Sequence, residues 1–140
     1  IRTGDMASGF SELAGFLSDP GMSDRFAAVA VDGRSGTQSL LSRICEEWPR
    51  KAVAIPGARG VVDACLMFTQ AVIDGRVSHW RSKDQGPLDM AVEQATRRPV
   101  GHDGGWAFDG SGCCHVEAVA LAVWAAATTR RDPSGGSVIL

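Results

Sequence analysis

Short apolar runs alternating with helical patterns predict an α/β fold with parallel central strands. The clearest stretch is residues 26–41, FAAVAVDGRSGTQSLL. Its first six residues, a phenylalanine followed by alanines and valines, are apolar without a polar interruption, the pattern of a strand buried on both faces. The run stops at Asp32-Gly33, and Leu40, Leu41, Ile44, Cys45 and Trp48 then recur at helical spacing. A strand feeding a helix puts Asp32 at the carboxyl end of the strand, the edge where open α/β sheets hold ligands.

The remaining elements follow in order. Residues 1–9 read as an extended segment entering a helix, with Ser8 as N-cap and Phe10, Leu13, Ala14 and Leu17 on one face. Asp19-Pro20-Gly21 ends that helix, and Trp48-Pro49 ends the one after the central strand. Residues 52–55 form a second short apolar run, stopped by Pro56-Gly57. A long helix is predicted over 58–73, with Val61, Val62, Cys65, Leu66, Thr69 and Ile73 on its buried side. Asp74-Gly75 turns the chain into residues 76–81, where Val77 and His79 alternate with Ser78 and Trp80 at the period of a strand. Pro87 suits the first turn of a helix that is expected to reach Arg98. The GHDGG loop leads to a strand over 106–108. An alanine-rich helix over 115–129 carries Val116, Val119, Ala120, Val123 and Trp124 as its packing stripe.

Length and charge narrow the function classes. The chain has 140 residues and a net charge of −2, so no overall basic field advertises nucleic acid. One domain is expected over 1–132, with a flexible Pro/Gly/Ser tail over 133–140. Cys45, Cys65, Cys113 and Cys114 form no C-x-x-C pair and read as reduced thiols of a cytosolic protein, with no zinc site expected. No apolar run approaches the roughly 18 residues of a membrane span, and no signal peptide is visible.

Asp32 carries the chemistry in three readings. The first is a phosphate-binding loop entered through VAVDGRSG. Counted from Gly33, however, Gln38 stands where that loop needs its second glycine, and Ser39 stands where it needs lysine. The second is a turn cap, a common task for Asp-Gly. The third is a metal-binding carboxylate raised on a strand tip.

Several blocks then converge. GDMASGFSELAGFL, AVAVDGRSGTQSLL, VIDGRVSHW, GPLDMAVEQATRRPVGHDGGWAF and HVEAVALAVWAAATTRRDP, in this order, resemble the C-terminal nuclease domain of the large terminase subunit of tailed phages and prophages, closest to actinobacterial versions. The likeness runs from about Gly4 to Pro133. It implies an RNase H-like three-layer fold, a mixed sheet with helices on both faces. It also implies an endonuclease that uses Mg2+ or Mn2+ to cut concatemeric double-stranded DNA during packaging. The implied partners are that DNA, an ATPase motor domain, the portal and the small terminase subunit, in the bacterial cytoplasm and away from membranes.

The resemblance assigns residues. Asp32 matches the family's second acid. The family's last acid falls near FDGSGCCHVEA, where Gly112 or a neighbour occupies the usual aspartate position, leaving Glu117 and then Asp109 as substitutes. His115 stands beside Glu117, as a histidine does in some relatives. Each has a plainer role to set against this: a solvated carboxylate at a helix start for Glu117, a turn aspartate for Asp109, and a capping or surface histidine for His115. The family's first catalytic aspartate lies on an N-terminal strand, and Asp5 is the only acid before the first helix here. The stretch is therefore expected to begin after the family's first two strands and to lack one metal ligand.

Arg34, Arg76, Arg81 and Lys83 are candidates for phosphate contacts, and Arg97-Arg98 and Arg130-Arg131 are softer ones; the plain alternative for each is a solvated cation. Trp80 and Trp106 are expected to cap the core, and His102-Asp103 resembles a metal pair without a third ligand. Besides the nuclease, two classes stay open: a non-catalytic remnant or assembly module on the same fold, and a small nucleotide-binding α/β protein. Residues 26–31 lack the lysine, proline or bulge that protects an edge strand. Residues 1–6 or a second copy of the chain are expected to cover them, the latter giving a homo-oligomer.

Overall fold

The computed structural model describes residues 11–17, 19, 21, 25–32, 38–48, 52–79 and 86–132. It is a mixed α/β chain that divides into two compact units, residues 56–124 and the segments on either side of them.

In the flanking unit, helix α1 (Ser11–Leu17), strand β1 (Val29–Ala30), helix α2 (Gln38–Glu47) and strand β2 (Val53–Ala54) follow one another. Strands β1 and β2 pair in parallel, Val29 with Val53 and Ala30 with Ala54. The Val31 N–H extends the ladder to the Ala54 carbonyl at 3.0 Å. The strand is thus shorter than the predicted 26–31, because β2 offers only two residues to pair with. Ala14, Leu40, Ile44, Trp48 and Ala52 close into one core, with Leu17, Val29, Val31 and Val53 packed on it. The helical spacing of Leu40, Leu41, Ile44 and Trp48 is what turns them inward together, while Cys45 faces solvent. Trp48 is also tied by its indole N–H, which donates to the Leu17 carbonyl at 2.7 Å and so satisfies an orphan group at the end of α1. Beside β1, the Arg131 guanidinium donates to the Phe26 carbonyl at 2.6 Å. Residues 1–6, one expected cover for this edge, lie outside the described residues, as do residues 7–10, the tail 133–140 and the segment 80–85 with Trp80.

In the central unit, helix α3 (Ala58–Ile73), helix α4 (Gly86–Gln94), strand β3 (Thr96–Val100), strand β4 (Gly105–Asp109) and helix α5 (Cys114–Thr128) follow in order. The last turn of α5, from Ala125, belongs to the other unit. Helix α3 keeps its predicted bounds, and its predicted face holds at Val61 and Cys65 but not at Leu66 and Ile73. Val61, Ala64, Cys65, Phe68 and Ala71 are buried, whereas Leu66 is 48% and Ile73 72% exposed. Small residues at 64 and 71 let the helix lie close to its neighbours, and that rotates the larger side chains outward. Val61 and Cys65 pack on Ala107 of β4, and Phe68 meets Phe108 edge to face with ring centroids 6.1 Å apart.

The end of α3 explains why residues 76–79 do not form the predicted strand. The Gly75 N–H donates to the Val72 carbonyl and the Arg76 N–H to the Ala71 carbonyl, with Gly75 at φ +66°. This is a Schellman closure, which spends the backbone of Arg76 on the helix end rather than on a ladder.

A second correction falls on residues 95–98. The predicted helix reaching Arg98 stops at Gln94, and TRRPV becomes β3, antiparallel to β4 with Arg98 opposite Ala107. Arg98 precedes Pro99, and the proline ring disfavours the helical region for the residue before it. The four-residue turn 101–104 then folds the chain back as a hairpin.

Trp48→Phe removes the N–H that the Leu17 carbonyl accepts and leaves part of the indole's space in the core unfilled. We expect a loss of about 1–3 kcal/mol of stability, the range for a buried polar group left unpaired. Urea denaturation followed by far-UV circular dichroism measures it, and an unchanged midpoint would show that the bond contributes nothing.

Candidate functional site

The junction between β4 and α5 gathers most of the polar chemistry of the central unit. Asp109 ends β4, and its Oδ1 accepts the Gly110 N–H at 2.9 Å. Gly110 sits at φ +111°, and a Cβ there would lie 2.8 Å from the Gln94 carbonyl oxygen. The Cys113 N–H bonds back to the Gly110 carbonyl, and the Glu117 N–H bonds to the Cys113 carbonyl, so the turn runs directly into the helix. Glu117 therefore stands in the first turn of α5, where the helix dipole favours a carboxylate.

Glu117 is not simply solvated. Its Oε1 lies 3.5 Å from Nη2 of Arg98, and the two side chains are only 25% and 29% exposed. Arg98 reaches it from β3, on the sheet face shared with its cross-strand neighbour Ala107. The next residue back, Arg97, serves the other face, with its guanidinium 4.1 Å from the Trp106 ring centroid. Trp106 in turn meets Phe108 edge to face at 5.3 Å.

Cys113 lies among these charges. Burial, then Glu117, Asp109 and Cys114 push its thiol above the ordinary cysteine value, against a smaller opposing pull from Arg98. Both carboxylates therefore bear on one thiol. His115 turns to the same loop, with Nδ1 3.1 Å from the Gly112 carbonyl and 3.6 Å from the Cys114 sulfur. The same Gly112 carbonyl accepts the His115 backbone N–H at 3.2 Å.

Asp32 directly follows the β1 ladder and is half-buried, in the other unit from Asp109 and Glu117. Among the described residues, no three His, Cys, Asp or Glu side chains are grouped to hold a metal ion. His102 and Asp103 are exposed at the hairpin turn. Of the phosphate candidates, Arg76 is paired with Asp74 at 2.9 Å. Hydrogen bonds from Gln70 and then from Arg76 hold the Asp74 carboxyl below its usual value. Arg34, Arg81 and Lys83 lie outside the described residues. The four cysteines form no disulfide, and no described helix is long and apolar enough to cross a membrane.

No protein-family model, curated protein or solved structure matches the chain.

A groove of about 460 Å³ also opens in the central unit, lined mainly by Phe68, Val72, Leu88, Phe108, Val116 and Val119. His79 stands at its rim, with Nε2 3.4 Å from Oδ1 of Asp89. The residue that sequence reasoning misplaced is Arg98, read as one of two solvated cations on a helix. Its position before Pro99 was the signal for extended backbone, and extended backbone separates it from Arg97 by sending the two to opposite faces.

A raised thiol holds less thiolate, the reactive form, at a given pH. Iodoacetamide at about pH 8 is expected to alkylate Cys113 more slowly than exposed Cys45, and Glu117→Gln is expected to speed Cys113 several-fold. Peptide mapping by mass spectrometry reads both rates. An unaltered Cys113 rate in the variant would show that the carboxylate does not act on the thiol.

Proposed function

We propose that this chain is the nuclease part of a terminase large subunit, built on an RNase H-like fold and hydrolysing phosphodiester bonds in double-stranded DNA with Mg2+ or Mn2+. The observation that carries the reading is Asp32, which stands directly beyond a strand paired in parallel and just ahead of α2. That is the sheet edge where such folds collect their ligands. The ordered sequence blocks supply the rest of the support.

The donor types suit the cation, although among the described residues no three of them are grouped to hold one. Asp32, Asp109 and Glu117 offer carboxylate oxygens, the hard ligands that Mg2+ and Mn2+ prefer. When bound, such ions supply an activated water and charge stabilisation at the leaving oxygen. The chain's own residues do the remaining work in this reading. The Gly110 N–H fixes one Asp109 oxygen, and Arg98 fixes Glu117. His115 secures the loop that joins β4 to α5. Arg34, Arg76, Arg81 and Lys83 meet phosphates, Arg76 only after leaving Asp74. The ATPase motor, portal and small subunit are the partners, and the setting is the bacterial cytoplasm.

One observation favours a second reading, a binding or assembly module that keeps the fold without cleaving. Glu117, the stronger substitute for the family's last acid, is already balanced by Arg98.

Cleavage of supercoiled plasmid in Mn2+ separates the two. The nuclease reading expects little or no nicking by these 140 residues alone. In a longer protein that also carries the family's first acid, it expects metal-dependent nicking that falls to background in Asp32→Asn with DNA binding retained. Robust cleavage by that protein and equally by its Asp32→Asn variant refutes the assignment of Asp32, and DNA binding by it without any cleavage selects the module.

A further inference from the structure

We propose that the groove lined by α3, α4, β4 and α5 binds a small molecule with an apolar body and a cationic amine head. Asp32, Asp109 and Glu117 do not line it, so the site stands apart from the nuclease reading.

The groove is a hollow rather than a flat patch. Its volume of about 460 Å³ falls within the range of small-molecule sites, roughly 300–1,000 Å³. Buried Phe68, Leu88 and Val116 form its floor, and Phe68 stands edge to face with Phe108. The floor therefore belongs to the core of the unit. At the lips, Val72 is 50%, Ile73 72% and Val92 52% exposed, apolar surface that a seated ligand removes from water. Among the described residues, Thr69, Ser78 and His79 alone line the groove with polar side chains. The Thr69 hydroxyl already donates to the Cys65 carbonyl at 2.8 Å.

The charge beside the groove selects the head group. A second hollow of about 450 Å³ is lined by His79, Asp89, Val92 and Glu93, and it shares His79 and Val92 with the first. Helical spacing sets the two side by side. Leu88 and Val92, one turn apart on α4, line the groove, while Asp89 and Glu93, each the next residue along, line the second hollow. No lysine or arginine lines either hollow among the described residues. His79 meets Asp89 at 3.4 Å, and a neutral imidazole donating there leaves the carboxylate charge in place. Two carboxylates thus border the apolar groove, attracting an ammonium and repelling a carboxylate or phosphate. The apolar body supplies the affinity, and the acidic hollow decides which head group is accepted.

Three probes that share one body test this: phenylbutylamine, phenylbutanol and phenylbutyrate. Each is titrated into the 140-residue chain labelled at its valine and leucine methyls, and NMR shifts report both site and affinity. The amine is expected to shift the methyls of Val72, Leu88, Val92 and Val116. It is expected to bind about fivefold tighter than the alcohol, the upper end for one exposed ion pair. Phenylbutyrate is expected to bind weakest. Asp89→Asn combined with Glu93→Gln is expected to bring the amine to the level of the alcohol and leave the alcohol unchanged, with circular dichroism checking the fold. Equal affinity of the wild type for all three probes overturns the head-group assignment, as does a preference for the amine that survives the double variant. Absence of methyl shifts in the groove with every probe overturns the site itself. Groove shifts with an amphipathic leucine–lysine peptide but none with the amine also overturn the proposal, since the occupant is then a protein segment. None of these outcomes bears on Asp32, whose test is cleavage.

Discussion

Position 110 admits only glycine, for two independent reasons. Its backbone lies at φ +111°, where a side chain is strained, and a Cβ would also press to 2.8 Å from the Gln94 carbonyl. The second reason ties three elements together, because Gln94 ends α4 and Thr96, which opens β3, is the partner of Asp109 across the hairpin. The close approach lets α4, the hairpin and the start of α5 share one short junction. Asp109, Cys113, His115 and Glu117 all hang from it. Any account of what this unit does chemically depends on a contact that has no chemistry of its own.

The hairpin is held from its other side by α3, and the way it is held accounts for what the sequence concealed. The predicted face through Val61, Val62, Cys65, Leu66, Thr69 and Ile73 is buried at Val61 and Cys65 and turns outward at Leu66 and Ile73. The face in use instead includes Ala64 and Ala71, residues that a search for bulky side chains passes over. Close helix–sheet packing selects small side chains at the point of nearest approach, so the decisive positions carried the weakest hydrophobic signal. The bounds of α3 were legible because they are set locally, by Pro56-Gly57 before it and the Gly75 closure after it. The rotation of the helix about its axis is a tertiary property. The same holds for β3, whose arginines look like a solvated helix end until β4 supplies a ladder for them.

The candidate site was legible in parts that differ in kind. Asp32 stood out because one local pattern, an apolar run stopped by Asp-Gly, fixes its place at the end of a strand. Glu117 and Asp109 could be named as acids near a helix start, but their surroundings could not. Their influence on Cys113, and the arrival of Arg98, depend on the hairpin register that puts Arg98 opposite Ala107. Register is set by how two segments pair across their turn, which neither segment fixes alone. The pairing of Arg76 with Asp74 was hidden for a different reason. A two-residue separation reads as a turn, and only the Schellman closure turns the guanidinium back onto the carboxylate.

The ion pair at the β4–α5 junction bears on what a carboxylate at such a position is for. Carboxylates at a strand end and a helix start are common to both, because the helix dipole and the turn geometry favour them in either case. What differs is the group that balances the charge. A carboxylate held by an arginine from a fixed hairpin is stable without a ligand, and a carboxylate without such a partner gains by binding one. At the β4–α5 junction the balancing group comes from within the chain, on a strand anchored by Ala107 in the core. The charge of Glu117 is therefore balanced from β3, two strand positions beyond Thr96, rather than from the helix that carries it.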